Sequence, residues 1–476
     1  MRILFLKRFI FLLLMIIFGM VSASVLSCDY NSNSAVYTDL ISDTGVPLNS
    51  APDVPPVAKY TDDGRRVITI GTWYDLYYIS KHSDIHDDPN LSDPVTAQMR
   101  LDNMRGVEKK YGIVLNSVNL TYDGLIESIN SSVPQKDPDV DVYEIELTSG
   151  IAPLIKDYAV SLEEMGIIGD KEEPDPSVIR TMKLPGQTET YLFSSAAQGV
   201  SNAYVLAFNM DMIRKAGLEN PQDLYDRGEW TWDKWREYLK ILTKDTNGDG
   251  MPEIYGYSGY WTNLLTNLLF SNNAEIASGE KENLSSPATI EVLKFIDDIY
   301  NKDKTARPWD DSNWDINNSL YGDGLSAFWI GADWIFNEFG GKDLPFEIGV
   351  VPWPCGPSGD KSHNSCVQTT TKWYFIPKNV KDPKLVYNVI YDWTNWYNGD
   401  LDVAKNDTWS REMYMNGRNY AYAQMMASKP GFDMWQFIDS DYKFSLVPMI
   451  SGKETVDDVV KNNSNFFQNG IDEYFK

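Results

Sequence analysis

The stretch Val205–Gly256 constrains the fold more than any other, because it sets a strand, two capped helices and an acidic loop in fixed order along one block. Val205 to Phe208 is a short apolar run of strand type. Asn209 opens a brief helix, and Gly217 closes it at a position that calls for a left-handed residue. Thr231 then stands as the N-cap of a second helix, with Trp232, Trp235, Leu239 and Leu242 recurring on one face, which predicts a helix laid against a core.

That helix runs into Asp245-Thr-Asn-Gly-Asp-Gly-Met-Pro-Glu253. Side-chain oxygens alternate along it, and Gly248 and Gly250 let the backbone fold tightly. Such spacing suits a hard cation: Asp245, Asn247, Asp249 and Glu253, with the Met251 carbonyl, form a candidate calcium set. Position twelve is Gly256 rather than the Glu of an EF-hand loop, so Glu253 has to complete the cage. A closed cage of this kind is structural. The competing reading is an Asp/Asn/Gly turn with no ion.

At the N-terminus Arg2, Lys7 and Arg8 precede the apolar run Phe9 to Phe18, the pattern of a secretory signal over residues 1–27. Val25-Leu-Ser-Cys28 resembles a bacterial lipobox, which implies cleavage before Cys28 and lipidation of its thiol. Cleavage near Ser22 to Ser24, or an uncleaved anchor, are the alternatives. Residues 28–60 are rich in Asn, Ser, Asp and Pro without a sustained apolar period, so they read as a flexible tether. Cys355 and Cys366 remain, a plausible disulfide in an oxidising compartment. His82, His86 and His363 form no Cys/His metal set, and the acids around the first two indicate a solvated loop.

The formal charge is -26. Removal of the signal, with three positive residues and no acids, leaves -29 and makes nucleic acid an improbable partner. The acidity favours a neutral or cationic ligand. The length remaining after the tether exceeds what one core serves, so two domains are expected. Strand candidates Val67–Ile70, Val114–Leu120 and one within Pro138–Ile145 alternate with a helix over 95–110. Later come strands at Ser326–Ile330 and Glu347–Val351 and helices opening at Ser286-Pro287 and Asp382-Pro383. This order predicts an α/β fold with mostly parallel sheets.

Six blocks together resemble the family 1 extracellular solute-binding proteins of ABC transporters, the group that includes maltose-binding protein. They are VITIGTWYD (67–75), DPDVDVYEIELTSGIAPL (137–154), AYVLAFNMDMIRKAGL (203–218), WTWDKWREYLKILTKDTNGDGMPEIYG (230–256), GLSAFWIGADW (324–334), and EIGVVPWPCGPSG with KWYFIPKN (347–359, 372–379). The resemblance implies a two-lobe periplasmic-binding-protein-like α/β fold with discontinuous lobes, a hinge, and ligand held in the cleft between them. Lobe 1 is expected at 61–200 plus 351–397, and lobe 2 at 201–350 plus 398–476.

The same resemblance places ligand contacts at Trp73, Tyr74 and Asp75, at Tyr143, Glu144 and Glu146, at Ser201, Asn202 and Tyr204, at Tyr260 and Trp261, at Asp333 and Trp334, and at Trp373. An aromatic face suits the apolar face of a pyranose, and carboxylates suit adjacent hydroxyls. Packing competes with binding for every aromatic, and Trp232, Trp235 and Trp393 are assigned to the core by helical spacing. For Asp75 and Glu146 the competing role is helix capping. Maltose-binding protein carries an Asp-Arg pair where this chain has Glu146-Leu147, which leaves the identity of the sugar open.

The implied function is capture of a carbohydrate, an oligosaccharide above all, by a monomer that is lipid-anchored at the extracellular face of the bacterial cytoplasmic membrane or in the periplasm. It hands the ligand to an ABC transporter permease without making or breaking a bond. Two rivals share the aromatic, acidic cleft: a lipid-anchored glycoside hydrolase and a calcium-stabilised lectin or adhesin.

Overall fold

The computed structural model describes residues 58–475 except 90, 92, 147–156, 172, 175–187, 195–202, 279, 311–315, 339–343, 361–371, 406–407, 428–432 and 440–442. All of these belong to the unit Ala51–Lys476. Cys28, Asn202, Ser201 and Cys366 lie outside the described residues. No described helix is long and apolar enough to cross a membrane.

Eight strands make two four-stranded sheets: β1 (Arg66–Thr72), β2 (Ile113–Asn119), β3 (Val142–Ile145), β4 (Val205–Asn209), β5 (Tyr255–Ser258), β6 (Ser326–Gly331), β7 (Ile348–Val351) and β8 (Trp373–Phe375). Sheet one has the order β8-β3-β1-β2, and sheet two β5-β6-β4-β7. Sheet one therefore takes its last strand from a segment that follows all of sheet two, the mark of a discontinuous lobe.

In sheet one β1 pairs parallel with β2 and β3, as expected for strands joined by crossover helices, here α1 (Pro94–Tyr111) and α2 (Tyr122–Ser132). β8 is antiparallel to β3. Sheet two departs further from the expected parallel arrangement: β4 is antiparallel to both β6 and β7, and only β5 and β6 run parallel. The cause is the chain path. Phe193, before β4, bridges Tyr374 in sheet one, so β4 is reached from the other sheet and no right-handed βαβ crossover dictates its direction.

The segment Val205–Gly256 folds as its capping chemistry requires. Asn209 caps α3 (Met210–Lys215) by accepting the Met212 N–H, and Gly217 sits at φ 67°. Thr231 caps α4 (Trp232–Leu242), whose Trp232, Trp235, Leu239 and Leu242 are buried. Further on come α5 (Trp261–Ser271), α6 (Pro287–Asp297), α7 (Asp333–Glu338), α8 (Pro383–Thr394) and α9 (Gly417–Ala427).

Each face of sheet one meets a different core. Ile68, Ile70, Leu115, Val142 and Tyr374 pack under α1 and α8 with Leu101, Met104, Val386 and Ile390. Tyr143, Ile145 and Phe375, on the alternate face, join a cluster that continues into sheet two through Ala203, Val205 and Leu206. α8 is fastened to α1 because the Asn103 amide donates to the Asp392 and Trp393 carbonyls at 3.1 and 3.0 Å, and Lys110 and Tyr111 donate to the Asp392 carboxylate at 2.6 and 2.8 Å.

Candidate functional site

Parallel strands deliver their C-terminal ends to one edge of a sheet, and the loops leaving that edge collect side chains in a crevice. β1 ends at Thr72 and β3 at Ile145, while antiparallel β8 starts at Trp373, opposite Ile145. Three short segments meet there as a consequence: Trp73-Tyr74, Glu144 to Glu146, and Lys372-Trp373.

Glu144 is the centre of the first group. It is only 1% exposed, and a carboxylate so buried needs partners. Tyr74 Oη donates to its Oε1 at 2.5 Å, Tyr374 Oη donates to its Oε2 at 2.7 Å, and Lys372 Nζ stands 3.6 Å from Oε1. Burial, followed by the Glu144 charge, pushes the Tyr74 phenol well above its ordinary range, so it stays a donor. The Lys372 ammonium also lies 3.6 Å from the centroid of the Tyr74 ring and 5.6 Å from that of Trp73. Trp73 in turn meets Tyr74 and Tyr122 edge-on, with centroids 5.4 and 6.3 Å apart.

Tyr122, the first residue of α2, donates to Glu146 Oε1 at 2.8 Å. Glu146 reaches toward sheet two: the Tyr204 phenol is pushed up by burial first and by the charge of Glu146 second, while hydrogen bonds with Asn263 and Trp334 act in the opposite sense. Tyr204 precedes β4, Asn263 lies in the first turn of α5, and Trp334 is in α7, meeting Tyr204 edge-on at 6.5 Å. Tyr260, the N-cap residue of α5, meets Trp309 at 6.3 Å. Rings from both sheets thus gather around the carboxylate that sheet one supplies at Glu146.

Of the residues expected to touch ligand, Trp73, Tyr74, Glu146 and Trp334 are part of this convergence. Trp373 is buried beside it, and among the described residues its indole N–H has no hydrogen-bond partner. Asp75 is exposed at the rim and accepts from the Asn119 amide at 3.4 Å. Two expected contacts are placed in the core instead. Tyr143 has no exposure, stacks on Phe375 at 5.2 Å and shares a 2.6 Å hydrogen bond with Ser128 Oγ. Strand alternation turns it away from the face that carries Glu144, and burial pushes its phenol up to about 12. Trp261, 6% exposed, packs edge-on to Phe444 at 6.2 Å, because as the first helical residue of α5 it turns inward where Tyr260 does not.

Tyr122, Asn263, Trp309, Lys372 and Tyr374 were not anticipated. Their sequence surroundings carry no periodic signal that separates a crevice from a surface. Only the Lys372-Trp373-Tyr374 run, aromatic and flanking a strand, offered one.

In the acidic loop Asp245 accepts the Gly248 and Gly250 N–H groups at 2.6 and 2.8 Å, and Glu253 Oε2 accepts the Thr246 N–H and hydroxyl at 2.6 and 2.7 Å. The two backbone donors hold the Asp245 carboxyl below its usual range. Carboxylate oxygens of Asp245, Asp249 and Glu253 lie within 4.8 Å of one another, a donor set that fits a hard cation. Asn247 is engaged within the loop, its Oδ1 accepting the Asp249 N–H at 2.8 Å, and Met251 is exposed. Cys355 sits with its Sγ 3.6 Å from the Gly356 carbonyl oxygen.

The family match bears on what such a crevice serves. Residues 82–400 match the model of the bacterial extracellular solute-binding proteins, and the chain belongs to that family. No curated protein sequence matches it. Solved structures with the same two-lobe fold include an ABC substrate-binding protein from Listeria monocytogenes in complex with cycloalternan, at 16% identity and TM-score 0.61, over 85% of this chain and 99% of that one. The maltose/maltodextrin-binding domain from Bdellovibrio bacteriovorus bound to maltotriose is similar at 14% identity and TM-score 0.57, over 86% and 99%. A Mycobacterium tuberculosis protein, UgpB, in complex with glycerophosphocholine aligns at 14% identity and TM-score 0.58, over 79% and 96%. At such identities the likeness is one of fold.

Proposed function

We propose that this protein is the substrate-binding component of an ABC transporter and that it captures a carbohydrate, most naturally an oligosaccharide, between its lobes. The observation that carries the reading is Tyr204 of sheet two, hydrogen-bonded with Asn263 and Trp334 and within reach of the Glu146 charge on sheet one, beside Trp73 and Tyr122. Flat rings cover the apolar faces of sugar rings, and the carboxylate and amide take the hydroxyls at their edges. The ligands seen in the Listeria and Bdellovibrio structures support the same class of solute.

A ligand that touches both lobes has more contacts when they close on it, so it shifts the population toward the closed form that a permease recognises. No bond is made or broken. Lipidation of Cys28, with residues 28–60 as a leash, keeps the binder near the permease at the extracellular face of the cytoplasmic membrane and raises its effective concentration there. Calcium at Asp245, Asn247, Asp249, Met251 and Glu253 staples the loop after α4, and a disulfide between Cys355 and Cys366 belongs to the same reading.

Calorimetric titration with maltotriose and other oligosaccharides tests the proposal, alongside chromatography of the incubated sugars. Saturable binding with intact sugar is expected, and Trp334→Ala costs about 2 kcal/mol of affinity through the lost ring contact. Release of shorter sugars establishes a hydrolase instead. Chelator is expected to lower the melting temperature and calcium to restore it, since an ion bound only by the folded state stabilises it. An unchanged melting curve reduces the loop to a turn.

A further inference from the structure

The Lys372 ammonium is placed as a guest in a cation box. Its neighbours are the face of Tyr74 at 3.6 Å, the face of Trp73 at 5.6 Å and the Glu144 carboxylate at 3.6 Å, and among the described residues it donates no hydrogen bond. An ammonium with three donors and none used is held by electrostatics alone. Its side chain is 36% exposed, so it can swing into water, which hydrates it well. What it would leave behind cannot do the same. Glu144 is buried, tied to Tyr74 and Tyr374, and would face an open aromatic wall with its charge uncompensated.

We propose that this box is a subsite for a positively charged group of the ligand, that Lys372 is its displaceable occupant, and that the carbohydrate this protein prefers carries a protonated amine. The inference rests on the carbohydrate reading above and narrows it to amino sugars. Two further features agree with it. Glu146 adds a second carboxylate to the same crevice, held by Tyr122. The chain as a whole, at -26, attracts cationic solutes and repels anionic ones.

Displacement makes an unusual demand on mutagenesis. If Lys372 were a donor to the ligand, its removal would weaken binding. As a competitor, its removal strengthens binding of a cation.

The full-length protein is titrated calorimetrically with glucosamine trimer, N-acetylglucosamine trimer and maltotriose. The wild type is expected to bind the glucosamine trimer about tenfold tighter than its acetylated counterpart, the scale of a partly desolvated cation–π contact. In Lys372→Gln that selectivity ratio rises several-fold, and raising the pH until the glucosamine amine loses its proton removes it in both proteins. The pH arm needs no variant, and a melting curve checks that Lys372→Gln is folded. Equal affinity for the two trimers, or a Lys372→Gln protein that loses the glucosamine trimer, overturns the subsite. Tight maltotriose binding with no preference for the amine overturns it while leaving the carbohydrate reading intact. Failure to bind any of the three counts against both.

Discussion

At the scale of single residues, the acids of this chain are not equivalent. Most are solvated, but Asp433 is 4% exposed and accepts the N–H groups of Ile276, Ala277 and Trp435 at 2.6, 3.0 and 3.1 Å. Burial pushes its carboxyl up to about 7, against the pull of those donors. The folded pKa therefore exceeds the unfolded value, so the folded state holds the proton more tightly. Stability from this group is complete below about pH 4 and is lost as pH rises through about 7, by up to about 4 kcal/mol. Asp433→Asn is expected to cost about 1–3 kcal/mol at pH 5, since its NH₂ faces a backbone donor, and to flatten the loss between pH 5 and 8. Chemical denaturation of both proteins across that range decides the matter. Parallel pH curves would show that the group does not titrate there.

At the scale of elements, what the sequence discloses and what it hides divide along physical lines. α4 was legible because Thr231 and the spacing of Trp232, Trp235, Leu239 and Leu242 are local consequences of a 3.6-residue period. The direction of β4 was not legible, since a two-residue alternation is the same read either way. Tyr143 and Glu144, expected in the loop after the third strand, lie within that strand and on opposite faces of it, and Lys372 joins the site only through long-range packing. The buried edge of sheet two was hidden for the same reason. β7 is an edge strand whose outer groups need partners, and two side-chain amides from distant segments supply them. Asn419 donates to the Ile348 carbonyl and accepts the Val350 N–H, both at 2.9 Å, while Gln222 donates to the Val350 carbonyl at 2.7 Å. Asn419→Leu, apolar and of similar size, is expected to destabilise by about 3 kcal/mol, because it strands buried backbone groups. A loss below about 1 kcal/mol in urea unfolding would mean that water replaces the amide.

At the scale of the whole molecule, function depends on whether ligand is shared between the two sheets. Sheet one contributes Trp73 and Glu146, and sheet two contributes Tyr204, Asn263 and Trp334. A ligand held by one lobe alone has equal affinity for open and closed forms and moves neither population, however tightly it binds. A bridging ligand lowers the radius of gyration as it saturates. The two halves of the crevice can then be tested separately. Trp73→Ala and Trp334→Ala sit on opposite sides, and each is expected to weaken binding while also reducing the fraction that compacts at saturation, because either loss leaves ligand with less to gain from closure. X-ray scattering across a titration reads both quantities in one experiment. If one variant binds weakly yet compacts fully, and the other does neither, the ligand is seated on a single lobe and closure is driven by contacts between the lobes themselves. Loss of compaction in both variants locates the driving force in the shared ligand, which is the condition for a permease to tell a loaded binder from an empty one.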